Sequence, residues 1–227
     1  MPVVVAERRE RERQKRREAI LKAASRLFAD HPYDAVRMDD IAEATELAKG
    51  TLYLHFADKD AIVAELGKRV LDELAVAMDK VTRDARRGWI GSEAGLYRVV
   101  DTWHDSYWAH PGLFHILVLD RPHLLAEFSA GADGRCPRIL EPVETLIQIG
   151  QTTGEFSGAM EPGVVSYALW ALFVGGLLLS GRGEIEESDL RVTSLPVLHA
   201  LVRGLCASGP TQNTGANTAR RIQSGGD

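Results

Sequence analysis

Residues 49–56 read KGTLYLHF, and the rest of the chain is best understood from them. The stretch has the length of a turn or two of helix. Leu52 and Phe56 stand four apart, which puts them on one helical face. They are the residues that hold such a helix against its neighbours. Lys49, Gly50, Thr51, Tyr53 and His55 are then left for something outside the fold, and their chemistry is that of donors grouped around a position without a Cβ.

The flanking sequence supplies the context. In REAILKAASRLFAD, residues 17–30, Ile20, Ala24, Leu27 and Phe28 recur at helical spacing, and the proline of DHPYD ends the run. MDDIAEA, residues 38–44, reads as a second short helix, with Asp39 and Asp40 in the first turn, where the helix dipole favours acids. TELA, residues 45–48, is the turn before the octamer. Asp58 is a good N-cap for a long helix that carries Ile62, Leu66, Val70, Leu74 and Val81 at helical intervals. Two short helices joined by three or four residues form the helix-turn-helix pattern. Its second helix enters the DNA major groove with its first residues at the base edges. On that reading Gly50 lets the backbone approach DNA, and Lys49 and Thr51 are donors at a phosphate-attracting helix N-terminus. Tyr53 and His55 donate to phosphates, which position rather than specify. Lys59 adds a cation at the start of the next helix.

The segment YDAVRMDDIAEATELAKGTLYLHFADKDAI, residues 33–62, resembles the DNA-binding signature of the TetR (tetracycline-repressor) family. DIA, the KGTLYLHF octamer and the KDAI that follows stand at the family's spacing. The motif spans about thirty residues, and the preceding helix extends the match to about residue 16; beyond residue 80 only helix number and lengths fit. The resemblance implies an all-α homodimer that binds a near-palindromic operator and is released by a small ligand. It places Lys49, Gly50, Thr51, Tyr53, His55 and Lys59 on the DNA. Three positions depart from the family: Pro32 replaces a glycine before Tyr33, Arg37 replaces the usual Ser or Thr cap, and Thr45-Glu46-Leu47-Ala48 replaces Ala-Gly-Val-Ser. Arg37 then stands where it can reach a phosphate, Glu46 must take the turn glycine's backbone conformation, and Ala48 cannot cap the recognition helix.

Composition narrows the rest. The 227 residues are 45% hydrophobic, with net charge −5. Residues 1–70 hold 14 Lys/Arg against 13 Asp/Glu, and the remainder is net negative, so what positive balance exists lies at the N-terminal end. Its densest part is RRERERQKRRE, which reads either as a solvated helix end, since glutamates are interleaved with its arginines, or as an extension laid along the DNA backbone or minor groove. Cys136 and Cys206 make neither a disulfide framework nor a zinc cluster, and a reducing cytoplasm fits them. The apolar run ALWALFVGGLLLSG, residues 168–181, is short of the roughly 20 residues that cross a bilayer. No cofactor, metal spacing or catalytic constellation is legible.

The expected architecture is all-α: a flexible charged arm over 1–15, a three-helix DNA-binding domain over 16–60, a larger ligand-binding and dimerisation domain over 61–207, and a disordered tail over 208–227. In the second domain Trp103, His104, Tyr107, Trp108 and Phe114, with Trp170 and Phe173 from a later helix, are the candidate lining of an apolar effector pocket; plain core packing is the alternative for each. The helices near 162–180 and 194–206 are the expected dimer interface, with Gly175 and Gly176 allowing close approach. The rival readings are a DNA-binding protein without an effector, which a filled second domain would favour, and an α-helical enzyme using His104, Asp105 and Tyr107.

Overall fold

The computed structural model describes residues 2–124, 137–181 and 184–206. The loop expected over 127–137, Cys136 and the tail from 208 fall almost wholly outside them. The described residues are helical: α1 (Pro2–Asp30), α2 (Met38–Ala44), α3 (Lys49–Tyr53), α4 (Lys59–Arg86), α5 (Ser92–Ala109), α6 (Pro111–His115, continued as a π-helical turn through Asp120), α7 (Pro137–Thr153), α8 (Pro162–Gly181) and α9 (Glu187–Gly204). The residues expected to be a flexible arm are the first half of α1. Arg, Lys, Glu and Gln are good helix formers, and nothing in that run breaks a helix.

The N-terminal domain closes on Ile20, Leu21, Ala24, Phe28, Ile41, Leu52, Phe56 and Ile62, all buried. Asp58 caps α4 by accepting from the Ala61 amide at 2.8 Å, as its sequence position requires. In the second domain α4 packs on α5 and α7, α7 on α8, and α9 on α5 and α8. The domains meet where α6 abuts the end of α1. A Cβ at Gly112 would lie 2.1 Å from the Phe28 carbonyl oxygen, so only glycine permits that approach.

Helix α8 is 20 residues long, and residues 162–180 are apolar and long enough to cross a membrane by length and composition alone. The apolar helix thus extends beyond the 14-residue run of residues 168–181. Ser166, Leu169, Phe173 and Leu177 face inward, while Val164, Tyr167, Leu172 and Leu179 are exposed. On α9, Val197 and Leu201 are exposed and Leu198 and Val202 are buried. Gly175 faces open space.

Candidate nucleic-acid interface

The turn between α2 and α3 is tight for a sequence without glycine. Glu46 has φ 54°, the one positive φ at a non-glycine among the described residues. Thr45 closes the end of α2, its hydroxyl donating to the Ile41 carbonyl at 2.8 Å. Ala48 sits at the N-cap of α3 with no side-chain hydrogen bond, so the first amides of α3 have no side-chain cap. Both consequences of the TELA turn are present in the backbone.

Helix α3 and the turn that follows it divide as their spacing requires. Leu52 and Phe56 are buried, while Tyr53 is 45% and Leu54 79% exposed. Lys49 and Gly50 are exposed and Thr51 is half-buried. A Cβ on Gly50 would meet nothing, so no internal packing calls for glycine there. The Lys49 ammonium is paired with Asp39 of α2 at 2.7 Å, which raises its pKa. Arg37 keeps an exposed guanidinium with Asp40 3.6 Å away, and its amide donates to the Asp40 carboxylate at 2.7 Å, which ties down the start of α2.

His55 is half-buried. Its Nδ1 is buried without a partner. Burial first, then the positive field of Arg13, Arg16 and Arg17, holds its pKa below the usual imidazole range. A neutral ring suffers least if the buried Nδ1 is the bare acceptor, which leaves Nε2–H as the donor. Arg17 fixes this corner: it donates to the His55 carbonyl at 2.9 Å, pairs with Glu65 at 2.9 Å and lies 4.2 Å from the Phe56 ring centre.

Lys59 departs from expectation. Its ammonium donates to the carbonyls of Tyr33 at 2.5 Å and Val36 at 2.7 Å and lies 3.8 Å from the Tyr33 ring centre. It ties the α1–α2 connection to α4 and has little left for a phosphate. Spacing alone could not reveal this, because the acceptors lie more than twenty residues away.

The seven aromatic-region residues of the second domain do come together. Trp103 meets Trp170 at 5.3 Å and Phe173 at 5.8 Å, Tyr107 meets Trp108 at 4.9 Å and Phe114 at 5.8 Å, and the Trp108 indole donates to His104 at 3.0 Å. They form a packed cluster with two small voids. One, of about 20 Å³, is bordered by Phe114 and Trp170; the other, of about 10 Å³, by His104, Tyr107, Trp108 and Phe173. Neither admits more than about a water molecule. The Trp103 indole N–H is buried without a partner. Among the described residues no group of three or more His, Cys, Asp or Glu is arranged to hold a metal.

A recognition helix with a buried Leu52/Phe56 face and an outward face of donors, carried on a larger helical domain, defines a helix-turn-helix DNA-binding protein. Residues 20–66, from within α1 to the first turns of α4, match the family model of bacterial regulatory proteins of the tetR family; the match covers the helix-turn-helix domain. Over more than four fifths of the chain, the fold is similar to that of several solved structures. FadR, a transcriptional regulator from Bacillus subtilis in complex with stearoyl-CoA, has a TM-score of 0.65 at 18% identity, over 82% of this chain and 98% of that one. SmeT, the repressor of the multidrug efflux pump SmeDEF of Stenotrophomonas maltophilia, has 0.64 at 17%, over 85% and 91%. PfmR, a TetR-family transcriptional regulator from Thermus thermophilus, has 0.60 at 20%, over 83% and 99%. At these identities the likeness is one of fold.

Proposed function

We propose that this chain is a cytoplasmic transcriptional repressor that binds a near-palindromic operator as a homodimer and is released by a small, largely apolar effector. The observation that carries the DNA reading is the division of α3 and the turn after it: Leu52 and Phe56 buried, Lys49, Gly50 and Tyr53 outward. Lys49, Gly50 and Thr51 meet the groove; Tyr53, His55 Nε2–H and Arg37 meet phosphates. The dimer reading is supported by the apolar stripe of Val164, Tyr167, Leu172, Val197 and Leu201, which a second copy would cover.

The effector reading is supported by the contiguity of the aromatic cluster, its unsatisfied Trp103 N–H and its link to α6 through Tyr107 and Phe114. FadR, of similar fold, holds stearoyl-CoA. The cluster is closed in this conformation, so a guest must select an expanded one. Expansion would move α6, and α6 has no slack against α1 at Gly112. The closed cluster also sustains a second reading, in which the protein binds DNA without any effector. Titration of duplex binding with fatty acyl and aromatic probes separates the two. The effector reading requires at least one probe to weaken DNA binding in wild type and to act less on Trp103→Phe; indifference of DNA binding to every probe favours the second.

A further inference from the structure

The first half of α1 has a face that the helix-turn-helix does not explain. Arg9, Arg13 and Arg16 precede Ile20 and Ala24 by steps of four, three, four and four, so all lie on one stripe of the helix. From Ile20 onward that stripe is the buried core face of the domain. Before it, every residue from Glu7 to Arg16 is exposed. There the same stripe overhangs the end of α3 and borders a groove of about 570 Å³ with Leu54 and His55.

The charges in this groove are not balanced. Residues 7–17 carry seven Lys/Arg against three Glu. Arg17, where the helix joins the body, is fully engaged with Glu65 and the His55 carbonyl. Arg13 has only Glu10, 3.9 Å away, and among the described residues Arg9 and Arg16 have no ion pair. Glu12, the acid in the groove, is drawn to Lys15 at 3.3 Å. Glu10 and Glu12 stand three or four residues from these arginines, but only Glu10 pairs with one of them, and the groove's four arginines outnumber its single glutamate.

We propose that this overhanging half of α1 is a second DNA-binding surface, which clamps the phosphate backbone flanking the half-site with Arg9, Arg13 and Arg16. This rests on the DNA-binding reading above and extends it. The groove adjoins Leu54 and His55, so the stripe continues the phosphate contacts beyond the end of the recognition helix. Residues 9 to 16 rise roughly 10 Å along the helix, the axial span of about three phosphates of one strand. The contact carries charge rather than base information, so it adds affinity and salt dependence without sequence preference.

The test is fluorescence anisotropy of the full chain on a random-sequence duplex of about 40 base pairs across a salt series. The variants are Arg9→Gln/Arg13→Gln/Arg16→Gln, the corresponding triple lysine substitution, and Tyr53→Ala. None of the three arginines touches the core, so circular dichroism should report folded protein throughout. The glutamine triple should flatten the slope of log Kd against log salt by two to three, at about 0.9 per phosphate, and weaken binding tenfold or more; the lysine triple should keep most of the slope. A glutamine triple within half a unit of wild type, while Tyr53→Ala weakens binding, overturns the clamp and leaves the recognition helix intact. Wild type that shows no salt-dependent binding overturns both.

Discussion

Arg121 lies with its guanidinium 4.2 Å from the centre of the Tyr33 ring. It comes from the end of the π-helical turn after α6, and Tyr33 from the connection between α1 and α2. Arg121 also approaches Asp60 at 3.3 Å and Asp34 at 3.7 Å, and the Tyr33 hydroxyl donates to Asp60. One cation of the second domain thus grips three residues of the DNA-binding domain. Together with the tight Gly112–Phe28 contact it makes α6 the link between the proposed effector cluster and the DNA-binding domain.

This latch should be measurable as coupling. Arg121→Ala and Tyr33→Leu should each lower thermal stability. Their double mutant should recover about 0.5–1 kcal/mol relative to additivity, the range for a partly solvated cation–π pair. Strict additivity would mean that the stacking is incidental.

Tyr33 gives the latch a pH signature. Burial, then the hydrogen bond to Asp60, pushes its pKa up to about 12 from the ordinary 10.0. The fold favours the neutral phenol, so its stabilising contribution is complete below about pH 10 and is lost as pH rises towards 12. Urea midpoints followed between pH 9 and 12 should fall more steeply for wild type than for Tyr33→Phe. Parallel profiles would remove Tyr33 from the account.

Lys59→Ala distinguishes a structural cation from a phosphate contact. Loss of its bonds to the Tyr33 and Val36 carbonyls should cost about 1–2 kcal/mol of stability. The salt slope of DNA binding should stay within half a unit of wild type. A slope lower by about one with unchanged stability would restore Lys59 to the DNA surface.

The proposed dimer face separates two leucines of one helical end. Leu201 is 40% exposed and Leu205 8%. Leu201→Arg should leave a folded protein that sediments as a monomer, because the charge falls on the apolar stripe proposed to meet the second copy. Leu205→Arg should instead unfold the C-terminal bundle, since it buries an unpaired charge within one chain. A wild-type monomer at micromolar concentration would refute the interface.

How much of this was legible in the sequence follows from the range of the interactions. Leu52, Phe56, the Asp58 cap and the positive φ forced on Glu46 depend on neighbours within a few residues, and they are where the spacing puts them. The helical first half of α1 was hidden because a mixed-charge run suits a helix and a solvated arm equally well. The inward turn of Lys59 and the Arg121 latch depend on partners from about twenty to almost ninety residues away, which no local pattern reports. The inward placement of Leu205 was hidden for another reason: Leu201 and Leu205 are chemically alike, and only the packed bundle says which face is covered. The aromatic cluster was found by composition, but whether it is packed or hollow depends on side-chain fit.

The central claim is that α3 reads DNA, and selection from a random duplex library tests it most directly. Wild type should enrich a sequence with two related halves centred about one helical turn, or 34–36 Å, apart. Lys49→Ala or Thr51→Ala should change the enriched bases, while Tyr53→Ala should weaken binding without changing them. No enrichment over the starting library, or an enriched sequence unaffected by either substitution at positions 49 and 51, would contradict the account.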